Sequence, residues 1–527
     1  MSPRLGSLTL AGAVLVGGGC GDPGTDLREV EQRVELLERG VEAAHRASWT
    51  RLWEPYAFGT SREGGALPGS LLAYHEVESL ATWRGRVGGG ELERRVDLLY
   101  RHCLRARVES DPEVAALTAA VVESRLGRVQ RLEGIRVTDA VLAYMLRFDP
   151  RPQRRQEAWQ LLYHGEAAAG ARIAQLMARR NAIAREQGFA DYYRLYLAQE
   201  DLDPALVERL LDELERRTRE PARRAAERAA SALGVTRLKP WDGEYALRGA
   251  LGELEPLLTA DHLHQRVAAT CLDLGLGSAL DGVQVAAPFA GSGARTYLAF
   301  PVDPPLDVRV IVTEGAGFYA YRGAFHETGH ALYYRGATQA RFVDRLPPNG
   351  TLSEAFAKLF ERLPYQREWW QRYLGAPQPV VDLVQRYAAA DELRRVRFFI
   401  ANHRFERAAY ADPEQDLDAL YAALLGELTF EDWQGGGSSW TAIPHYATQP
   451  LANLEYLYAR LIQAQVYRTL GARFAAVVGN PEVGPFLLEH LVWPGSTRRW
   501  TEIVREATGA DLDVAPYLED ELCIAQE

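Results

Sequence analysis

His326-Glu327-Thr328-Gly329-His330 restricts the fold of this chain more than any other segment. On a helix, residues four apart lie about one turn apart on the same face, so both imidazoles point at one metal ion. Glu327 is rotated by about 100° from His326, within reach of a water on that metal without being a ligand. The spacing therefore describes a zinc site in which two neutral nitrogens hold Zn2+ and the glutamate acts as general base. Apolar Phe325, Ala331 and Leu332 predict a half-buried helix, the rigid support that such a site requires.

A catalytic zinc takes three protein ligands and keeps one open position. A second helical pattern starts after the turn cluster Leu346-Pro347-Pro348-Asn349-Gly350, with Thr351 or Ser353 available as its cap. Glu354 lies in its first turn, where the helix dipole favours a carboxylate; its plain alternative is an N-terminal helix acid, and Glu361 competes with it. Spacing favours Glu354 as the third ligand. His262-x-His264 is set aside, because residues two apart face different sides of a helix.

Glu354 follows His330 by 24 positions (354 − 330), and with Glu354-Ala355 and Gly329-His330-Ala331 the segment resembles the gluzincin peptidases. It is most similar to the superfamily of angiotensin-converting enzyme and thimet oligopeptidase. Gln187-Gly188-Phe189-Ala190-Asp191-Tyr192 resembles an element that ends an early helix in these enzymes, and Pro240-Trp241-Asp242 is similar to the Pro-Trp-Asp of the oligopeptidase branch. The resemblance runs to near residue 470. It implies two helical lobes flanking a deep substrate cleft and one Zn2+ per chain.

The rest of the sequence reads as mainly α. Leu27, Val30, Val34, Leu37 and Val41 form a helical stripe behind Asp26, which has capping-box spacing to Glu29, and 204–233 reads as a solvated amphipathic helix. Before the motif, 295–300 and 306–313 alternate or are β-branched around a Pro-rich turn, predicting a small hairpin or sheet edge beside the zinc helix. The resemblance implies that this edge binds extended peptide by strand addition, a substrate-binding role carried to Tyr297, Leu298 and Ala299.

Peptide hydrolysis also needs donors for the oxyanion. By resemblance these are Tyr456 and His445, which follow the loop Gly435-Gly436-Gly437-Ser438-Ser439; Tyr458, in its own Tyr-x-Tyr, is the rival of Tyr456. A loop histidine and two core tyrosines are the plain alternatives. The Gly-rich loop is expected to flex with the cleft. Several positions depart from the converting enzymes. Lys358 stands where an aspartate supports a zinc histidine, so the lysine is expected to point outward while another group orients the imidazole. Ile443 and Asn453 replace the clamp for a substrate's C-terminal carboxylate, and Glu455 replaces the arginine of the chloride site. These changes argue against strict removal of C-terminal dipeptides and against chloride activation.

Arg4, an apolar stretch from Leu5 to Val16, and Gly17-Gly18-Gly19 before Cys20 read as a secretory signal at 1–19. Cys20 resembles a lipobox cysteine, with Gly17 departing from the usual leucine, and 20–25 would be a tether; plain secretion is the alternative. Residues 26–527 form one metallopeptidase domain. With 47% apolar residues the chain can bury a large core, and a net charge of −11 argues against nucleic acid as a partner. Cys103, Cys271 and Cys523 permit at most one disulfide, with buried free thiols as the alternative.

The sequence thus predicts a monomeric zinc oligopeptidase acting on short peptides through Glu327-assisted attack of a zinc-held water. Its expected place is the bacterial envelope, in the periplasm or as an outer-membrane lipoprotein, with a lipid anchor as its only membrane contact. The alternatives are a peptidyl-dipeptidase or aminopeptidase with the same site, or a non-catalytic envelope lipoprotein that binds peptides.

Overall fold

A computed structural model describes residues 26–58, 76–126, 130–163, 167–289, 297–345, 350–443 and 445–524. The signal, Cys20 and the tether lie outside these residues, as do the start of the first predicted strand and most of the turn cluster before Thr351. The described chain is mainly helical with small sheets.

Local signals explain where the helices begin and end. Asp26 accepts from Arg28 N at 2.9 Å to open Leu27–Phe58, and Val30, Val34 and Leu37 turn inward while Leu27 stays exposed. Gly188, at φ +83°, ends Ala167–Glu186, and Asp191 accepts from Arg194 N to start Tyr192–Gln199. Buried Asp242 accepts from Arg155 and from Lys239 N, so the Pro-Trp-Asp segment is anchored by its carboxylate. In Pro204–Ala232, Val207, Leu210, Leu211 and Leu214 are buried, while arginines and glutamates pair along the outer face.

The predicted hairpin is present, from Tyr297–Asp303 to Asp307–Val312, with Leu298 opposite Ile311 and Ala299 opposite Val310. A third strand, Gln284–Ala286, pairs parallel to Asp307–Val312 on its other side, which leaves Tyr297–Asp303 at an edge. Three residues are too few for an alternating pattern to be read, so this strand had no sequence signal.

The motif helix, Gly317–Gly336, lies against this sheet and against Thr351–Arg362. Phe325, Ala331 and Leu332 are fully buried, and Phe325 packs edge-on against Trp369 at 5.7 Å. Burying a side chain such as Phe325 contributes roughly 2–3 kcal/mol, so the helix is held by its apolar face. One core runs from Val108 to Leu522, so the lobes implied by the resemblance share a continuous core. A smaller cluster joins Val30 and Val34 to Leu80, Val96 and Leu99. Cys103 and Cys271 are buried free thiols and Cys523 is an exposed one. Among the described residues no helix is long and apolar enough to cross a membrane.

Candidate metal centre

Two packed helices bring His326, His330 and Glu354 together, with one ligand atom from each within 4.8 Å of the others. The Nε2 atoms of the histidines are 3.2 Å apart, and the Glu354 oxygens lie 3.6 Å from His326 Nε2 and 3.4 Å from His330 Nε2. The helices approach this closely because of Gly329: a Cβ there would sit 2.6 Å from Ala357 Cα on the facing helix. Any larger residue would push the Glu354 helix away from the histidines.

The other ring nitrogens are supported. His330 Nδ1 is hydrogen-bonded to Ser353 Oγ at 2.7 Å, and His326 Nδ1 lies 2.9 Å from Glu361 Oε2, a charge contact without hydrogen-bond alignment. With the protons on Nδ1, both Nε2 lone pairs converge on the Glu354 carboxylate, an arrangement that repels itself unless a cation lies between. Glu354 Oε2 is also buried with no hydrogen-bond partner among the described residues. A set of two imidazoles and one carboxylate fits zinc. Burial would raise the Glu354 carboxyl, but His330, His326 and Lys358 hold it down at about 2, so it is an anion ready to ligate. Burial likewise opposes charge on His330, yet Glu354 raises its pKa overall.

Glu327, 7% exposed, has its carboxyl raised above the usual value by burial, against the pull of His326 and His330. A carboxylate in that state accepts a proton more readily than an exposed one.

Lys358 does not point outward. Its side chain is 13% exposed and ion-paired with Glu361. Burial alone would raise Glu361, but Lys358, His326 and Arg322 hold it well below the usual carboxylate range. Glu361 is therefore the group that faces His326 Nδ1, and it also offsets the lysine charge that would otherwise repel a metal. Sequence reasoning met Glu361 only as a competing ligand. The readable signal was its helical spacing, seven after Glu354 and three after Lys358, which puts all three on neighbouring turns of one face.

Tyr456 and Tyr458 face different surroundings. The Tyr456 ring is 6.2 Å from His445 and 5.8 Å from Phe399. Burial, followed by the negative charges of Glu354, Glu455 and Glu327, raises its hydroxyl pKa. Tyr458, 2% exposed, packs on Trp500 at 5.4 Å. His445 opens the short helix His445–Thr448 and is half-buried. The second half of the Gly-rich loop is packed: Trp440 Nε1 donates to Asp418 at 2.7 Å, and a Cβ on Gly437 would strike the Asp418 carbonyl.

Tyr297, Leu298 and Ala299 are half-buried on the edge strand. The Tyr297 ring lies over the motif helix at Gly323, where a Cβ would meet it at 2.6 Å. Asn453 donates to Glu406 at 3.1 Å, and Glu455 accepts from Tyr196 at 3.0 Å, so both departures from the resemblance are built into the interior. A cavity of about 720 Å3, between Pro204–Ala232 and Leu417–Thr429, shares no lining residue with the donor trio.

No family model and no curated protein matches the chain. Solved structures do. An M32 carboxypeptidase from Deinococcus radiodurans R1 superposes with a TM-score of 0.62 at 16% identity, covering 94% of this chain and 98% of that one. PZ peptidase A with an inhibitor gives 0.69 at 13% identity, covering 94% and 95%. A putative oligoendopeptidase F gives 0.70 at 14% identity, covering 95% of each chain. The chain therefore has, over nearly its whole length, the fold in which those peptidases are built.

Proposed function

We propose that this chain is a zinc-dependent metallopeptidase that hydrolyses peptide bonds in short peptides. The observation that carries the reading is the convergence of His326, His330 and Glu354 on one point, with Glu327 buried beside it. The peptidase names of the three similarly folded structures support it.

His326, His330 and Glu354 would hold one zinc ion, with Glu361 and Ser353 fixing the two rings. Zinc bound there supplies Lewis-acid chemistry, lowering the pKa of water toward neutrality and polarising a carbonyl. Glu327 takes the attacking water's proton on its carboxylate and returns it to the leaving amine. The Tyr456 hydroxyl donates to the oxyanion of the tetrahedral intermediate, with His445 as a second donor. Tyr297, Leu298 and Ala299 align extended substrate by backbone pairing at the sheet edge. The protein acts as a monomer in the bacterial envelope, anchored through lipid on Cys20 or released after export.

Mass analysis of products from an N-terminally blocked peptide tests the mode of cleavage. Internal cuts at several positions fit an oligopeptidase. An intact blocked peptide beside a digested free one would indicate an aminopeptidase, and release of C-terminal dipeptides alone a peptidyl-dipeptidase.

A further inference from the structure

Arg460 lies one turn after Tyr456 on Ala452–Arg473 and is only 4% exposed. Its guanidinium is engaged on three sides. Nη1 donates to the Tyr456 carbonyl at 3.1 Å, and Nε donates to Glu392 Oε1 at 2.5 Å. The central carbon of the guanidinium lies over the Phe399 ring, 4.5 Å from its centre. Glu392 and Phe399 both belong to Gln378–Ala411, about two turns apart, so they share a face of that helix.

The Tyr456 ring rests on the same Phe399, at 5.8 Å and an angle of 53°. Arg460 therefore holds Tyr456 twice, by its backbone and through the ring that its side chain leans on. Glu392 is held in turn, because the Tyr517 hydroxyl donates to the same Oε1 at 2.9 Å. Burying a guanidinium is costly, and apolar side chains of similar volume would often join two helices as firmly. What the cation adds is direction, since a planar fork fixes an angle that apolar packing leaves loose. A tie between the helices would need Glu392 alone. The contacts with Tyr456 and Phe399 go beyond that need, and they end on a proposed oxyanion donor. Such a donor requires precise aim, because a misplacement of about 1 Å at a reacting group costs on the order of a hundredfold in rate.

We propose that Arg460 is a positioning residue for the reaction: by gripping the Tyr456 carbonyl and the Phe399 ring, it aims the Tyr456 hydroxyl at the oxyanion. The inference rests on the peptidase reading and deepens it, since it assigns what holds one donor of that site.

A double-mutant cycle on the zinc-loaded, full-length protein tests it. The readouts are kcat and KM on a quenched peptide, and calorimetric affinity for a phosphinic peptide, whose phosphinate oxygens stand in for the oxyanion. Arg460→Gln should lower kcat by about tenfold to a hundredfold, with KM within about twofold and zinc content unchanged. Affinity for the phosphinic peptide should fall by about the same factor. In Tyr456→Phe there is no hydroxyl to aim, so adding Arg460→Gln should change either quantity by less than about twofold. Equal losses in both backgrounds, or no loss in either, overturn the inference. Arg460→Lys keeps a charge opposite Glu392 without the fork; it should lose roughly fivefold and carries the same cycle if Arg460→Gln fails to fold. Cleavage with equal losses in both backgrounds keeps the peptidase reading and removes the positioning role. Coupled losses of phosphinic affinity without any cleavage do the reverse, and neither binding nor cleavage removes both.

Discussion

His326 and His330 owe their relative placement to four residues of one helix, and Glu354 joins them through the close packing of two helices at Gly329. The segment that carries His445 and Tyr456 is built the other way. Arg180, from Ala167–Glu186, donates to the carbonyls of Tyr446 at 3.1 Å and Ala447 at 2.6 Å. Asn402, from Gln378–Ala411, is bonded to the Tyr446 hydroxyl, and Glu406 on the same helix accepts from Leu451 N and Asn453. Leu451 sits at φ +65°, a left-handed conformation unusual for leucine, at the entrance to Ala452–Arg473. The metal ligands are therefore set by local geometry. The proposed oxyanion donors are set by buried polar contacts 44 to 267 residues away in sequence, and the two regions should fail in different ways.

Removing a ligand should break the first region outright. His330→Ala or Glu354→Ala should lose bound zinc, measured by metal analysis, and with it cleavage by a factor on the order of 10⁴ or more. Retention of a full zinc complement would show that the trio is not the site. In the second region, Tyr456→Phe should keep its zinc and lower kcat by roughly 10²–10³, the cost of one oxyanion donor. Tyr458→Phe should change kcat by less than about threefold, because its hydroxyl faces the core. The reverse order in a kinetic comparison would exchange their roles.

Much of the first region was legible in the sequence because helical spacing alone makes it. The same is true of the stripe Val30, Val34 and Leu37, and of the hairpin before the motif. Lys358 was read wrongly because its solution depends on a neighbour: Glu361, three residues on, draws the lysine inward and turns a misplaced cation into half of an ion pair. The sequence favours Tyr456 over its rival Tyr458 by resemblance alone, because which face of Ala452–Arg473 turns inward depends on tertiary packing such as that of Tyr458 on Trp500. Neither Arg180 nor Glu406 had a signal, since nothing local distinguishes a buried arginine or glutamate from an exposed one.

Smaller effects sharpen the contrast. Glu361→Gln should weaken zinc affinity by roughly 10–100-fold in a competition titration, because the His326 ring loses a charged partner while the trio stays intact. An unchanged affinity would leave Glu361 with only the lysine to hold. The polar clamp of the second region should show itself in pH dependence. Burial raises Glu406 to about 7, against the pull of Leu451 N, Asn453 and Arg180. The folded chain then keeps a proton that the unfolded chain has released, so this contribution is full below the ordinary carboxyl value and is lost as pH rises through about 7. Denaturation midpoints measured between about pH 5 and 8 should fall with pH by up to roughly 3 kcal/mol of stability, and less steeply in Glu406→Gln. Parallel slopes in the two proteins would assign the dependence to another group.

Zinc titration of the chelator-stripped protein, read by hydrolysis of a quenched peptide, tests the central claim most directly. Activity should return in proportion to zinc and level off at one ion per chain, while Glu327→Gln binds the same ion and stays slower by about 10²–10⁴-fold. Cleavage that survives metal removal, or Glu327→Gln working as fast as the wild type, would contradict it.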